Sequence, residues 1–327
     1  MFKLYHKTLA KYIQKIYTFV IMERMCIMKK LLTICAVLIL LTGCKPATPI
    51  EPPAETSTGT PSVALFTAEE FARIDGSTVT IPLTQLMAEK VAGMNPAQAA
   101  TLTHNRTNWA YNSLINGDCD IIFVTSPSED EYGYAEDAGI EYEIVPIVRD
   151  AFVFLVNTDN PVNNLTNQQI LDIYTGKTTN WSQVGGTSLD IIPYQRQENS
   201  GSQTGMLDLV MKDTPIMDAP TEYKPAEMGG LIENIASFDS SKAAIGYSYY
   251  YYASSMYLKD TVKLLAIDGV SPENSTVASQ QYPYTTAYYA VIRSDEPEGS
   301  FARRMIAYLL SDDGQALAEE AGYVPLN

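Results

Sequence analysis

The sequence predicts an α/β fold, and three observations carry that prediction. Short runs that are apolar throughout, such as "CDIIFV" at 119–124 and "AFVFLV" at 151–156, have the composition of strands covered on both faces. Between such runs lie segments with apolar residues at helical spacing, of which Leu83, Leu86, Met87 and Val91 form the clearest set. Strand-like and helix-like segments then alternate along the chain, a pattern that leads to layers of helices on largely parallel sheets.

The N-terminal region stands outside that pattern. "MKKLLTICAVLILLTGC", residues 28–44, gives two lysines, an apolar run and then Leu41-Thr42-Gly43-Cys44, the anatomy of a secretory signal ending in a bacterial lipobox. Residues 1–43 are therefore expected to be a signal peptide with its true start at Met28, and Cys44 the lipid-bearing first residue of the mature protein; an uncleaved anchor helix is the alternative. Residues 44–62, "CKPATPIEPPAETSTGTPS", are too rich in Pro, Thr and Glu to form a core and read as an extended tether.

Charge and composition exclude several functions. The 327 residues are 46% apolar, enough for a sizeable core. Lys and Arg number 22 against 38 Asp and Glu; residues 1–43 hold seven of the former and one of the latter, so 44–327 carry 15 against 37, a net −22. Nucleic acid and anionic membrane surfaces are poor partners for such a surface. Beyond the signal and the lipidated Cys44, Cys119 alone remains, inside an apolar run, so no disulfide framework is expected and the thiol should be buried and inert. The two histidines, His6 and His104, lie far apart. Neither a His-rich metal site nor a His-based triad can be assembled from them, and no metal or other cofactor is expected.

The elements follow in order. "IPLTQLMAEKVAG" reads as an amphipathic helix, "NWAYNSLING" as a helix ending on a glycine, and "CDIIFVT" as a buried strand. "EYEIVPIVRD" and "AFVFLVN" read as strands, and "LTNQQILDIYTG" as a helix opened by the capping pair Thr166 and Gln169. "LDIIPY" precedes the loop "QRQENSGSQTG", after which a helix should begin near Ser202; "GQALAEEAG" belongs to a terminal helix. The serine and glycine loop has the composition of an ordinary capping turn. It also has the composition of an oxyanion site. Helix-start N–H groups lack intrahelical partners, Ser200 and Ser202 add hydroxyls, Gly201 permits close approach, and Arg196 offers a planar fork. Local dipoles of this kind can hold an anion although the surface as a whole is acidic.

Four stretches carry a resemblance. "RQENSGSQT", "NPVNNLTNQQILDIYTGKTTNWSQVGG", "AAIGYSYY" and "IDGSTVTIPLTQLMAEK" are similar to segments of the phosphate-binding lipoproteins of bacterial phosphate ABC transporters; the match is specific because all four occur in the right order along the chain, and the likeness runs from about Ala72 to Asn327. It implies a two-lobed type II periplasmic-binding-protein fold with the ligand cleft between lobes: 63–150 and 251–327 in lobe 1, 151–250 in lobe 2, with crossovers near 149–154 and 247–252. It implies inorganic phosphate as ligand, an ABC permease as partner, a monomeric extracytoplasmic receptor held to the membrane at Cys44, and no catalysis.

Carried over by position, the family's Arg-x-x-x-Ser-Gly-Ser/Thr motif matches Arg196, Ser200, Gly201 and Ser202. Its first loop matches Thr80 and Ile81, with Ser77 and Thr78 as neighbours, and its helix-opening hydroxyl matches Thr107. Where relatives place an aspartate that accepts the proton phosphate retains, this sequence has Thr125, followed by Ser126. A hydroxyl does not repel a fully ionised oxyanion as a carboxylate does, so sulfate or molybdate remain alternatives unless Asp118, Asp120 or Glu198 reaches the site.

Enzyme motifs fail on spacing. Gly176-Lys177-Thr178 lacks the P-loop's first glycine, because Leu171 stands there, and Gly201-Ser202-Gln203-Thr204-Gly205 misses the nucleophile-elbow pattern. The run "YSYYYYASSMY" at 247–257 leaves open a carbohydrate-binding or adhesion role, or else an aromatic-rich strand and hinge.

Overall fold

The computed structural model describes residues 64–237 and 242–327. The expected signal segment, Cys44 and the tether lie outside the described residues. Nine strands run in chain order: β1 (Ile74–Gly76), β2 (Ile121–Val124), β3 (Tyr142–Asn157), β4 (Asn164–Leu165), β5 (Ile192–Pro193), β6 (Ala244–Tyr249), β7 (Val262–Leu264), β8 (Ala266–Ile267) and β9 (Thr285–Arg293).

The segments expected as two strands at 141–150 and 151–157 form one, β3, because no turn residue separates them. Pro146, which lacks an N–H, is accommodated at an irregularity between Pro146 and Val148. β3 organises the molecule by changing partners along its length. From Tyr142 to Ala151 it pairs antiparallel with β9, and from Phe152 to Val156 antiparallel with β6. The first half of the sheet is completed by β2 on β9 and β1 on β2; the second half by β5 on β6, with β7 beside β3. Only β1–β2, β5–β6 and the separate β4–β8 pair are parallel. The sheets are thus mixed, not largely parallel: β3, which spans both halves, and β9 run against their neighbours.

This pairing corrects one expected boundary. β7 and β8 pair with strands of the second half, so the chain returns to the first half at β9, near Thr285, not at 251. The crossovers are the switch in β3 between Ala151 and Phe152 and the entry to β9, tied by Phe152 N–H donating to Tyr284 O at 2.9 Å.

Local chemistry explains the helices. Ile81–Val91 buries Leu83, Met87 and Val91, with Leu86 partly covered. Thr166 and Gln169 form the reciprocal capping box on Asn167–Tyr174, with bonds of 3.1 and 2.8 Å. The terminal helix is Asp312–Glu320, capped by Ser311. Gly246 lets the helix Met228–Ala236 lie against β6, since a Cβ there would fall 2.7 Å from Leu231. Cys119 is buried, and that burial pushes its thiol up to about 12, as expected of an inert cysteine.

Three tyrosines of the run are core, whereas Tyr250, Tyr252 and Tyr257 are half-buried. Tyr247, Tyr249 and Tyr251 are buried; Tyr247 packs on Phe152 at 5.3 Å, Tyr249 on Tyr288 at 5.5 Å, and Tyr251 stacks on Tyr323 at 3.8 Å. Tyrosines committed in this way cannot serve as an exposed sugar platform.

Candidate functional site

Where the two halves of the sheet meet, they line a half-open cavity of about 560 Å³. The first half contributes residues 77–79, 106–109 and Thr125; the second contributes 196–202, 226–228, Ser248, Tyr249 and Tyr252.

The first wall is fixed by its own hydrogen bonds. β1 carries Asp75, whose Oδ1 accepts from Gly76 N at 2.7 Å and Asn105 N at 2.7 Å, while Oδ2 accepts from Asn105 Nδ2 at 2.9 Å. This clamp holds the chain before the helix Thr107–Asn116 and leaves Arg106 at φ +76°, a left-handed backbone that costs a non-glycine residue on the order of 1 kcal/mol. Thr107 and Thr125 are buried, and the Thr125 hydroxyl has no hydrogen-bond partner. Tyr111 supports it from behind, donating to Thr125 O at 2.8 Å.

The second wall is built around Arg196. Its backbone N–H donates to Gln203 Oε1 at 3.0 Å and the Tyr247 hydroxyl at 2.9 Å, which fixes the chain leaving β5. In the side chain, Nε donates to Pro225 O at 3.1 Å, Nη2 to Ala226 O at 2.9 Å and Nη1 to Ser202 Oγ at 3.2 Å. Among the described residues that commits three of five N–H groups and leaves one on each Nη. Burial lowers the pKa of this guanidinium, the nearby Arg106 acts in the same direction, and Tyr247, Tyr252 and Glu227 oppose it; the group remains a cation. Ser200 caps the helical segment that starts at Gly201, accepting from Gln203 N at 3.3 Å, and Ser248 adds a second buried hydroxyl without a partner.

The walls meet at Gly201. A Cβ there would lie 2.5 Å from Thr125 Oγ1 and 2.8 Å from Thr107 Oγ1, so only glycine allows this approach. Asn199 Nδ2 also reaches across to Asp130 Oδ2 at 2.9 Å.

Of the residues the sequence suggested, Thr107, Thr125, Arg196, Ser200, Gly201, Ser202, Ser77 and Thr78 line the cavity, whereas Thr80, Ile81 and Ser126 do not. Thr80 is turned inward. Its hydroxyl donates to Phe123 O at 2.8 Å and Ser77 O at 2.9 Å, and lies 3.1 Å from His104 Nδ1. His104 is buried, its pKa lowered by desolvation, and is held between Thr80 and Thr84; it positions the loop and does not reach the cavity. Asp120 is paired with Arg73 at 2.6 Å, and of the three candidate carboxylates only Glu198 lines the cavity.

Sequence reasoning missed Arg106, Trp109, Glu227 and Tyr252. Arg106 directly precedes a suspected ligand residue, which is a signal of sorts; Glu227 and Tyr252 arrive from distant segments and give none. Among the described residues, no helix is long and apolar enough to cross a membrane and no His, Cys, Asp and Glu cluster could hold a metal.

A two-part α/β frame with hydroxyls and a guanidinium converging on an inter-lobe cavity defines a solute-binding protein of the periplasmic-binding-protein type. The chain belongs to that superfamily: residues 51–313 match the family described as PBP superfamily domain. It is similar to the phosphate-binding protein PstS of Bacillus subtilis (strain 168), 26% identical over 254 residues that cover 77% of this chain and 80% of the relative. PstS of Staphylococcus saprophyticus is 24% identical over 257 residues, 77% of this chain and 79% of the relative. Among solved structures, an ABC-type phosphate transport receptor from Vibrio cholerae shares the fold with a TM-score of 0.57 at 23% identity, covering 77% of this chain and 98% of that one. A putative phosphate ABC transporter substrate-binding protein from Clostridium perfringens, with bound phosphate, gives a TM-score of 0.56 at 23% identity, covering 78% and 98%.

Proposed function

We propose that this protein is an extracytoplasmic receptor that captures inorganic phosphate between its two lobes and delivers it to an ABC permease, working as a monomer held to the membrane by a lipid on Cys44. It makes and breaks no bond. The observation that carries the reading is the convergence of Thr107, Thr125, Arg196 and Ser200–Ser202 on one cavity, supported by relatives that are phosphate-binding proteins. Thr125 Oγ1 and Ser248 Oγ are buried without partners, at a cost of about 1–3 kcal/mol each that ligand oxygens would remove. Charge-assisted hydrogen bonds contribute roughly 1.5–3 kcal/mol each, so a handful reach the about 8 kcal/mol of micromolar affinity.

Capture follows from the fold. Ligand favours the closed form because only there do both walls donate to it, with β3 and β9 flexing at the partner switch. Glu198 and Glu227 supply the carboxylate that Thr125 does not, and either can accept the proton of hydrogen phosphate. Calorimetric titration of the purified protein with phosphate, sulfate and molybdate tests the reading: phosphate should bind at micromolar concentration or tighter and sulfate much more weakly. Tighter sulfate or molybdate binding would reassign the ligand.

A further inference from the structure

The cavity is larger than its proposed ligand needs. At about 560 Å³ it falls within the range of roughly 300–1,000 Å³ typical of sites for drug-sized molecules. An oxyanion of five heavy atoms fills the space of only a few water molecules of about 30 Å³ each. The deep end, at Gly201, Thr107 and Thr125, accounts for that oxyanion and holds the partnerless Thr125 hydroxyl.

What remains has its own chemistry. Trp109 lines the cavity yet is 61% exposed, offering a broad apolar face. Tyr252 lines it from the opposite half, stacked on Tyr257 at 5.6 Å and so fixed in orientation. Glu198 and Glu227 line it as well, and among the described residues neither side chain has an ion pair or hydrogen bond. Aromatic faces beside free carboxylates are suited to a neutral hydroxylated group: C–H faces stack on the rings and hydroxyls donate to the carboxylates. The same carboxylates repel a second phosphate or a carboxylate on the ligand.

We propose that the site also takes hydroxyl-rich phosphomonoesters of sugar phosphate size, with the phosphoryl group in the deep end and the sugar between Trp109 and Tyr252. The proposal rests on the phosphate reading of the deep end, and the test separates the two.

Calorimetric titration of the purified protein with inorganic phosphate, glucose 6-phosphate and glucose is the experiment. Glucose 6-phosphate should bind within tenfold of phosphate, and glucose alone should not bind. Trp109→Ala should weaken glucose 6-phosphate about tenfold and leave phosphate within twofold. Phosphate binding with glucose 6-phosphate more than a hundredfold weaker would overturn this proposal and leave the phosphate reading intact. Equal losses for both ligands in Trp109→Ala would also overturn it, by showing that Trp109 serves the oxyanion or the fold. Binding of neither phosphate nor its ester would remove both readings.

Discussion

The two walls of the cavity reach the same end by different means. On the first wall the work is done by a backbone locked in place: Asp75 clamps Asn105, Thr80 and His104 clamp the Ser77 loop, and Thr125 lines the cavity with its hydroxyl. On the second wall one side chain does both jobs, because Arg196 ties down Pro225 and Ala226 with some of its N–H groups and presents the rest to the cavity. The contrast teaches that binding and stability are separable on the first wall and fused on the second.

The strongest test of that contrast is Arg196→Ala. Losing two charge-assisted donors should weaken phosphate binding by a hundredfold or more. The freed carbonyls of Pro225 and Ala226 should also make the 224–227 segment exchange its amides faster, measured by titration and hydrogen exchange. A variant with lost affinity and unchanged exchange would mean that the arginine does not organise its wall.

Gly201→Ala should come next. The helical backbone tolerates alanine and gains slightly from it, but the new methyl would collide with Thr107 and Thr125 across the cleft. Affinity should fall at least tenfold with the melting temperature unchanged or higher. Equal affinity would show that the two walls do not approach as closely in solution.

Two threonines sharpen the comparison within the first wall. Thr125→Val should weaken binding about tenfold with little loss of stability, since Tyr249, the group beside its hydroxyl, keeps its hydrogen bond to Gly201 O. Thr80→Val should do the reverse, costing about 1–3 kcal/mol by stranding buried partners, with a smaller change in affinity. Urea denaturation and titration on both variants decide it, and matching profiles would erase the distinction.

The smallest effect is expected at Asp150, between the walls. Its Oδ1 accepts from Ala151 N at 2.8 Å and Tyr251 N at 3.1 Å, while Oδ2 is buried beside the Tyr288 hydroxyl. Burial pushes the carboxyl up to about 7, although these neighbours act to lower its pKa. The folded state therefore prefers the protonated form: this stability is fully present below the unfolded carboxyl range and is lost as pH rises through about 7. Wild type should lose more stability between pH 5 and 8 than Asp150→Asn, and parallel urea midpoints would reject the assignment.

Much of this was legible from local patterns. Arg196 and Ser200–Ser202 lie within seven residues, and Thr107 and Thr125 each adjoin a clear helix or strand. Thr80 was misplaced because a short helical turn at Thr78–Thr80 rotates Ser77, Thr78 and Val79 toward the cavity and Thr80 toward His104, a choice made by the distant Phe123 carbonyl. The mixed sheet was hidden because buried strands look alike in sequence whichever way their neighbours run. Arg106 owes its position to Asp75, which holds the preceding Asn105 from thirty residues away, and no local rule foresees a left-handed arginine.

One aromatic ring joins the cavity to the hinge. Tyr323 donates its hydroxyl to Val79 O at 2.6 Å and lies face to face with Tyr251, the residue whose amide Asp150 holds. Tyr323 thereby ties the residue beside the crossover of β3 to the loop that lines the cavity. Position 323 is therefore a place from which a substitution is expected to move the cavity loop without itself lining the cavity.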